Sequence, residues 1–446
     1  MCGYVNYWFV GLHICTPAHL QILKLIMANF TTIDWANGSN IYEVNIRQYT
    51  PEGTFAAFAK HLPRLRDMGV EILWFMPITP ISLKERLGTL GSYYACSSYT
   101  DINPEFGMLS DFKLLVNEAH GFGFKLIIDW VANHTGWDHE WTTTHADFYR
   151  KDTAGNFTEK NGWQDVIDLD YTNYHMRQAM ISAMQFWVTN FNIDGFRCDM
   201  AHLVPLDFWL EARQKCDAIK PLFWLAECEE VAYHDVYDVS YAWAFMHASE
   251  NFAKRTAELN SIYNVLHDYS QYPNNGKKLF FTTNHDENSW NGTEYEKYGN
   301  AAKAFAVFTC TWGRGLPLIY SGQENPNFKR LKFFDKDVID WQPQPQLHQF
   351  YKTLLSLHKT NAVASGETFN LPTNNKYVMA FLRKKEAEVV LVILNFSNEE
   401  KIKLTVEHDW LKGQFTNVFS GLEFAFRGKE TFELMGYDYI VYKNII

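Results

Sequence analysis

Four short apolar runs of the chain each end in a carboxylate with polar neighbours. The carboxylates are Asp129, Asp199, Glu227 and Asp286. A single carboxylate after a strand is commonly structural, but four in one chain are hard to explain by packing alone. Where parallel strands end together, such groups can act as acids, bases and nucleophiles. The chain therefore carries the residue types for hydrolysis by carboxyl groups.

The spacing of Arg197 and Asp199 bears on their roles. Alternate residues of a strand point to the same side, so we expect both side chains to enter the same space. A guanidinium would keep Asp199 ionised and oriented, as a nucleophile requires. Glu227 follows an apolar run, a setting that can raise the pKa of a carboxyl group and keep it protonated as an acid. Retaining glycoside hydrolysis needs such a pair of carboxyl groups.

Two histidines and two cysteines flank these carboxylates. His134 and His285 are suited to donate hydrogen bonds to sugar hydroxyls. The alternation of the strands turns Cys198 and Cys228 away from that space. We expect both cysteines to be buried structural thiols, neither nucleophiles nor disulfide partners.

Eight apolar runs alternate with helical patterns along the chain. The runs are Ile41–Tyr49, Ile72–Ile78, Lys125–Val131, Gly195–Met200, Phe223–Cys228, Tyr237–Phe245, Leu279–Asp286 and Leu316–Glu324. The helical patterns include Phe55–Met68, Ser110–Phe122, Tyr174–Phe191, Asp207–Ile219 and Ala301–Trp312. Continuous apolar runs are typical of strands buried on both faces. The alternation predicts an α/β fold, a (β/α)8 TIM barrel with its catalytic groups at the carboxyl ends of the strands.

Two segments interrupt the repeat. Residues 132–173, rich in Trp, His, Asp and Asn, are long for a βα loop and are predicted to form a small inserted subdomain after the third strand. After residue 360 the pattern becomes one of alternating strands, at Tyr377–Arg383, Glu388–Phe396, Lys401–Val406 and Thr431–Tyr442. We therefore expect residues 27–131 and 174–360 to form the barrel, and residues 361–446 to form a C-terminal antiparallel β-sandwich domain.

The first residues and the cysteines bear on location. Residues 1–26 are apolar, with Lys24 as their only Lys or Arg, and lack the basic start of a signal peptide. No run reaches the roughly 18 apolar residues of a membrane-spanning helix. We expect residues 1–26 to lie outside the fold, with a degenerate signal peptide as the alternative. Seven cysteines without a CxxC pair favour a reducing compartment, and so the cytoplasm, although the odd N-terminus leaves export open.

The net charge of −11 bears on the partner. Nucleic acids and anionic membranes are bound by basic patches, so an acidic chain argues against both. The negative charge agrees better with a neutral substrate on which carboxylates act. A metal-dependent hydrolase is disfavoured, because the chain lacks a convincing set of several histidine ligands.

Taken in order, these segments resemble the motifs of the α-amylase family, glycoside hydrolase family 13. The matching segments are Gly69–Pro77, Asp129–His134, Gly195–Asp199, Phe281–Asp286 and Gly315–Glu324. The resemblance covers about residues 40–446. Each motif alone is modestly specific, but together they are strong.

The resemblance implies roles for individual residues. Asp199 corresponds to the nucleophile, Glu227 to the general acid/base and Asp286 to the stabiliser of the transition state. Tyr94 falls where the family places the tyrosine that stacks on the sugar at the cleavage site. The remaining substrate-binding candidates are His134, Arg197, His202 and His285.

The chain departs from the family pattern in two places, at a Lys-His pair and in a specificity motif. His202 and Leu203 stand where many members carry Lys-His, and His202 is a candidate to take over the Lys role in a sugar subsite. Asn133 and Asp168 stand where the family places calcium ligands. A structural calcium ion and a metal-free loop anchor are both left open, while the chemistry itself requires no cofactor. The segment Val166–Tyr171 matches neither of two known specificity motifs well, which leaves the substrate choice open.

The function implied is hydrolysis of α-1,4-glucosidic bonds in starch, glycogen or malto-oligosaccharides through a covalent glycosyl-enzyme. The alternative is a transglycosylase or glycosyl-isomerase on α-glucosides that uses the same intermediate. A non-catalytic relative is disfavoured, because all three carboxylates are present.

Overall fold

The computed structural model describes Phe30, residues 33–273 and residues 276–444 of the chain. The predicted extension, residues 1–26, lies outside the described residues. Within the described part, no helix is long and apolar enough to cross a membrane.

Eight parallel strands form a closed barrel in the described chain, as the alternation predicts. Each strand pairs with its neighbours in chain order, and the eighth pairs with the first. The strands are β1 (Ile41–Val44), β2 (Ile72–Phe75), β3 (Lys125–Trp130), β4 (Gly195–Cys198), β5 (Phe223–Ala226), β6 (Val239–Tyr241), β7 (Lys277–Phe280) and β8 (Gly315–Tyr320). Most end before the apolar runs do, so polar residues such as Asp199 and Glu227 come directly after a strand, at its carboxyl end.

Both faces of the barrel sheet are buried, which explains the unbroken apolar runs. On β2, the side chains of Ile72 and Trp74 pack inside the barrel with residues such as Leu225 of β5. The alternate side chains, Leu73 and Phe75, pack on the outside with the helices. The barrel interior is therefore a filled core, and a ligand can enter only at its ends.

Helices surround the barrel. The α-helices are Ile46–Tyr49, Phe55–Ala59, Leu62–Met68, Leu109–Gly121, Trp141–Thr144, Tyr174–Phe191, Leu206–Asp217, Trp243–Ala253, Leu259–Ser270, Glu294–Tyr298, Ala302–Thr311, His348–His358 and Asn361–Ser365. Short 3-10 turns are Asp34–Ala36, Ala146–Phe148, Ala201–Leu203, Val231–Asp235 and Gly299–Ala301, and Glu287–Asn291 forms a π-helical turn.

The helix Tyr174–Phe191 has the predicted bounds because both ends carry local signals. The side chain of Asn173 accepts hydrogen bonds from the N–H groups of His175 and Met176, which caps the first turn. At the other end, Asn192 adopts a left-handed φ of 59° and stops the helix.

Two predicted elements of the barrel are wrong in part. The pattern Phe55–Met68 forms two helices, which break at Lys60 and His61. The predicted strand Tyr237–Phe245 is only three residues long, since a helix begins at Trp243. The apolar run continues into that helix because its first turns are also buried, and buried strands and buried helices look alike in sequence.

Between β3 and the helix Tyr174–Phe191, the predicted insertion folds back on itself. Two short strands, His134–Gly136 and Val166–Asp168, pair in antiparallel fashion. The hydroxyl of Tyr171 donates a 2.7 Å hydrogen bond to the carbonyl of Ala132. These contacts hold both ends of the segment beside the end of β3.

The C-terminal part is an antiparallel sheet of six described strands. They are β9 (Glu367–Leu371), β10 (Val378–Lys385), β11 (Glu388–Asn395), β12 (Ile402–Asn417), β13 (Glu423–Leu434) and β14 (Tyr439–Asn444), in the order β9-β10-β11-β14-β12-β13. One cluster of buried side chains from these strands, including Leu391, Leu404 and Phe426, forms its core. The C-terminal domain is thus antiparallel, as predicted, but its described strands form one hydrogen-bonded sheet and not the two sheets of a sandwich.

Within this domain two predicted strands differ. Lys401–Val406 is only the start of β12, which continues to Asn417. Thr431–Tyr442 spans the end of β13 and most of β14, with a turn at Tyr437, whose φ is 61°. Exposed charged residues on the outer half of the β12–β13 hairpin obscure the alternation that marks a half-buried strand.

Gly195 begins β4 and has no room for a side chain. A Cβ at this position would lie 2.0 Å from the carbonyl oxygen of Phe223 on β5. We therefore expect Gly195→Ala to lower the free energy of unfolding by about 1–3 kcal/mol or more. Urea denaturation of the variant and the wild-type protein measures this difference.

Gly121→Ala is the matched control. Gly121 is the last residue of a helix, and nothing lies within 4 Å of a Cβ there. Alanine should leave stability unchanged or raise it by up to about 1 kcal/mol. Equal effects of the two substitutions would contradict the close approach of β4 and β5.

Candidate active site

The predicted carboxylates converge on the guanidinium of Arg197, at the carboxyl end of the barrel. Nη1 of Arg197 donates to Asp129 Oδ1 at 2.9 Å and to Asp199 Oδ1 at 3.0 Å. Nη2 forms an ion pair of 2.8 Å with Oε2 of Glu227, without hydrogen-bond alignment. Nε donates to the hydroxyl of Tyr241 at 3.1 Å. The Arg197 side chain is 0% exposed, so it is a fixed cation beneath the carboxylates.

The strand register produces this arrangement. Asp129 on β3 stands directly opposite Arg197 on β4, and Arg197 stands opposite Leu225 on β5. Asp199 and Glu227 each lie two residues beyond these paired positions, so their side chains point to the same side as Arg197 and Leu225. Three neighbouring strands thus bring three carboxylates to one guanidinium.

Glu227 has a second anchor. The backbone N–H of Met200 donates to Oε2 of Glu227 at 2.9 Å. Met200 has a φ of 38°, in the left-handed region that non-glycine residues adopt uncommonly. The turn after β4 therefore fixes the side chain of Glu227, directly after β5.

A second network surrounds His285. Its Nε2 lies 2.7 Å from the hydroxyl of Tyr94 and 3.2 Å from Oδ2 of Asp286. Its Nδ1 lies 2.5 Å from Oε1 of Glu43 on β1. The Tyr94 hydroxyl also donates to Oδ2 of Asp129 at 3.2 Å. The tyrosine therefore links the His285 network to the carboxylates around Arg197.

The pKa values of Asp199 and Glu227 are both raised. Burial raises the pKa of Asp199, Arg197 lowers it in part, and the charges of Asp129 and Asp286 raise it again. Burial likewise raises the pKa of Glu227, offset by Arg197 and reinforced by Asp199. With one cation between them, the carboxyl groups cannot all ionise easily, which favours one anion beside one protonated acid.

One part of the sequence argument is therefore incomplete. The expectation that Arg197 distinguishes Asp199 from Glu227 assumed that the guanidinium serves Asp199 alone. Its nitrogens reach both carboxylates. The N–H of Met200 lowers the pKa of Glu227 in part, so it does not make Glu227 the acid. The assignment of Asp199 as nucleophile and Glu227 as acid therefore rests on the resemblance of the motifs.

A cavity of about 520 Å³ opens above these groups. Of the predicted site residues, its walls include Asp199, Glu227, Asp286, Tyr94 and His134. Aromatic rings that sequence reasoning did not assign form much of the rest, namely Trp163, Trp290, Phe333 and Phe334. Aromatic faces with a few carboxylates between them suit a sugar, which has apolar faces and polar edges.

His202 lies outside this cavity. It is exposed and lines a neighbouring one of about 540 Å³, together with Glu229, Glu230 and Trp243. Met200 and Glu227 line both cavities. The two spaces therefore meet at Glu227.

Two predicted substrate ligands are placed differently. Arg197 is 0% exposed and His285 is 1% exposed, and neither lines the two cavities. Their nitrogens are directed at carboxylates and tyrosine hydroxyls. In this arrangement both side chains contact the carboxylates and tyrosines around the site. Their direct contact with substrate stays a prediction.

The aromatic wall was missed for identifiable reasons. Trp290 follows Asp286 by only four residues and is 52% exposed, so a search beyond the motif could have found it. Phe333 and Phe334 lie in the segment after β8, outside any helix or strand. Their sequence carries no periodic signal, and a high aromatic content alone favours a large core.

The cysteines are as expected. Cys198 and Cys228 are buried, and the five described cysteines, which also include Cys96, Cys216 and Cys310, are free thiols. Burial raises the pKa of the Cys228 thiol to about 12, which makes it unreactive at neutral pH.

The expected calcium position retains an unsatisfied acceptor. Oδ1 of Asp168 is buried and has no hydrogen-bond partner within the described residues. Asn133 is adjacent, since its carbonyl accepts from the N–H of Leu169. The described residues hold no group of three or more His, Cys, Asp or Glu side chains that could bind a metal ion. A calcium site here would thus draw mainly on amide and carbonyl oxygens, which calcium accepts.

Comparison with known proteins agrees with this geometry. The family model "Alpha amylase, catalytic domain" matches residues 34–164 and 149–340, and "Maltogenic Amylase, C-terminal domain" matches residues 369–441. The chain belongs to the α-amylase family. The resemblance of the motifs is thereby confirmed, and so are the glycoside hydrolase class and the barrel with its antiparallel C-terminal domain.

Individual members of the α-amylase family resemble most of the chain. The crystal structure of the maltogenic α-amylase AmyB from Thermotoga neapolitana has a TM-score of 0.84 and 28% identity, over 92% of this chain and 99% of that one. An α-amylase structure from Lactobacillus plantarum gives the same values. The α-amylase MalA from Haloarcula japonica is 26% identical over 82% of this chain and 56% of its own length. The chain thus spans just over half of that relative.

The raised pKa of Asp199 predicts that the site destabilises the fold. A carboxyl group whose folded pKa exceeds its unfolded value contributes stability at low pH, which is lost as pH rises through the folded pKa. Asp199→Asn removes this dependence. We expect the variant to exceed the wild-type free energy of unfolding by about 1–3 kcal/mol near pH 8 and by less near pH 5. Urea denaturation at the two pH values measures both differences.

Asp194→Asn is the control with the opposite sign. Burial raises the pKa of Asp194, but hydrogen bonds from His120 and the N–H of Leu126, with Lys220 nearby, lower it overall. The same substitution should therefore destabilise the protein near pH 8. Destabilisation by Asp199→Asn of equal size would contradict the electrostatic account of the site.

Proposed function

We propose that the protein is a retaining glycosidase that hydrolyses α-1,4-glucosidic bonds in starch, glycogen or malto-oligosaccharides. One observation carries the proposal. Asp199 and Glu227 bind neighbouring nitrogens of one buried guanidinium, at the floor of a cavity lined by aromatic rings. This geometry provides two buried carboxyl groups beside a space for a sugar.

Each carboxylate has a defined task in this mechanism. Asp199, as the carboxylate, attacks the anomeric carbon, while Glu227 gives its proton to the leaving oxygen as the glycosidic bond breaks. The glycosyl group is then an ester of Asp199. Glu227, now ionised, removes a proton from water, whose oxygen attacks the same carbon and releases Asp199. The cycle returns both groups to their starting protonation states.

Asp286 and Tyr94 are assigned to binding and stabilisation. Both line the cavity, and both are held by Nε2 of His285. A carboxylate fixed in this way can accept hydrogen bonds from sugar hydroxyls and can stabilise positive charge on the ring in the transition state. His134, also on the cavity wall, is a candidate donor to sugar hydroxyls.

The substrate class rests on the cavity and on the family. A neutral sugar chain fits an acidic protein with a net charge of −11 and walls of Trp163, Trp290 and Phe333. Proteins with the likeness reported above are named α-amylases and maltogenic α-amylases. These names support α-glucans or malto-oligosaccharides as substrates.

A transglycosylase or glycosyl-isomerase remains the second candidate. The cavity that contains His202, Glu230 and Trp243 borders Glu227. An acceptor sugar in that space could capture the glycosyl group before water does. The same space could equally hold the leaving sugar of a hydrolysis.

Substitution of the carboxylates tests the mechanism. Asp199→Asn and Glu227→Gln should each reduce turnover of starch by about four orders of magnitude or more, since each removes a group that forms or breaks a bond. Asp152→Asn, at an exposed turn of the insertion, is the control and should keep wild-type turnover. Near wild-type activity in Asp199→Asn would refute its assignment.

The products of maltoheptaose distinguish the two candidate functions. Hydrolysis yields only sugars shorter than the substrate, with a gain of one reducing end for each bond cleaved. Transfer yields longer sugars as well, without that gain. Chromatography of the products with a reducing-end assay decides between them.

We also propose a structural calcium ion at Asn133 and Asp168. The support is the buried, unpartnered Oδ1 of Asp168 in the described structure, which a cation would satisfy. Addition of calcium should then raise the melting temperature, a chelator should lower it, and Asp168→Asn should abolish the difference. A melting temperature independent of both reagents would exclude the site.

A reducing compartment, and specifically the cytoplasm, is our proposal for location. The support is the free and buried state of the five described cysteines, since exported proteins of this size often carry disulfides. Fractionation of cells that make the protein from its native start site tests it.

A further inference from the structure

Glu43 is a buried carboxylate that belongs to none of the motifs. It lies on β1 and is 0% exposed. Its backbone carbonyl accepts hydrogen bonds from the N–H of Ser321 at 3.0 Å and from the Ser321 hydroxyl at 2.7 Å. The first strand is thus tied to the end of β8, and the Glu43 side chain is held in the floor of the site.

The side chain of Glu43 meets one histidine. Its Oε1 lies 2.5 Å from Nδ1 of His285, while its Oε2 has no hydrogen-bond partner in the described part of the chain. A buried carboxylate is costly unless a cation offsets it. The group in direct contact with Glu43 that can carry a positive charge is therefore His285. It offsets the carboxylate only when its ring is protonated.

The other ring nitrogen of His285 also meets an acceptor. Nε2 lies 3.2 Å from Asp286 Oδ2 and 2.7 Å from the Tyr94 hydroxyl. The Tyr94 hydroxyl gives its one proton to Oδ2 of Asp129, so it accepts from Nε2 of His285. A neutral imidazole has one N–H and cannot donate to both Glu43 and Tyr94. These contacts, with Asp286 at ion-pair distance, therefore favour the imidazolium.

Other charges face this pair from every neighbouring strand. The titratable groups that act on Glu43 or His285 are Tyr94, Asp129, Arg197, Glu227, Tyr241, Asp286 and Tyr320. Arg197 is the only other cation among them and opposes protonation of His285. Burial lowers the pKa of His285, but Asp286 and Glu43 outweigh it and raise the pKa to about 9.

We propose that Glu43 is a positioning residue that keeps His285 protonated beneath Asp286. The site then contains two fixed cations, Arg197 under Asp199 and Glu227, and His285 under Asp286. Glu43 orients the ring through Nδ1 and supplies the charge that retains its second proton. This inference rests on the proposed function for its kinetic consequence, but the protonation state of His285 does not depend on it.

Glu43→Gln tests the charge without changing the shape. The amide oxygen can still accept from Nδ1, so the ring keeps its place, but the negative charge is gone. The His285 ring should then lose its proton near neutral pH. In nitrogen-15 spectra of histidine-labelled protein near pH 8, wild-type His285 should show two protonated ring nitrogens, and Glu43→Gln should show one. The signal is assigned by its loss in His285→Asn.

The kinetic readout is the pH profile of starch hydrolysis. Near pH 8 we expect kcat of Glu43→Gln to fall by about tenfold or more relative to wild type, the change that one pKa unit produces. Near pH 5, where His285 is protonated in both proteins, kcat should return to within about threefold of wild type. A structural defect would lower activity equally at both pH values.

Two further variants complete the test. Glu294→Gln is the matched control, because Glu294 is also buried but bonds only to Thr282 and Gln323 among the described side chains. It should change neither the spectrum nor the shape of the pH profile. Glu43→Asp keeps the charge and should retain the imidazolium signal.

Three results would overturn the inference. The first is a neutral His285 in the wild-type protein near pH 8. This result does not depend on whether any variant folds. The second is an unchanged imidazolium in Glu43→Gln. The third is a pH profile of Glu43→Gln parallel to that of wild type. If instead Asp199→Asn remained active while the His285 spectra behaved as expected, the proposed function would fail and the role of Glu43 in protonation would stand.

Discussion

The structure of this site depends on one buried cation. Arg197 has a side chain that is 0% exposed and contacts Asp129, Asp199 and Glu227. Several carboxylates cannot converge in a water-poor space unless a positive charge offsets them, and loss of that cation would leave their charges uncompensated. The guanidinium also fixes the positions of Asp129 and Asp199 through directed hydrogen bonds from Nη1. Arg197 therefore sets the positions and the proton affinities of these carboxylates.

The barrel makes this concentration of charge sustainable. Its parallel strands place Asp129, Arg197 and Leu225 side by side, and its filled apolar interior keeps water from the floor of the site. The same burial raises the pKa values of Asp199 and Glu227. The raised values lower the free energy of unfolding near neutral pH, and they also favour the protonated acid that the reaction needs. Such conflicts between stability and function are typical of active sites. In the network of Glu43, His285 and Asp286, a buried cation again lies between carboxylates. Here the cation is a histidine, which can lose its charge.

Much of this arrangement could be predicted from sequence, because its signals are local. Asp199 and Glu227 follow apolar strands directly, and the helix Tyr174–Phe191 carries a cap at each end. The remainder depends on contacts between distant segments. In sequence, Glu43 has no feature that distinguishes it from other strand residues. Its role depends on the contact with His285, which is 242 residues away. Trp290 and Phe333 lie in segments without periodicity, and the buried state of Arg197 becomes visible only when its partners surround it.

The central claim is that Asp199 carries the glycosyl group during catalysis. The most direct measurement is mass spectrometry of the enzyme after reaction with a fluorinated α-glucosyl fluoride, which forms the ester intermediate faster than water removes it. The account predicts a protein heavier by one sugar residue, with the label on the peptide that contains Asp199. A label on another carboxylate, or no label during turnover that inverts the anomeric configuration, would contradict it.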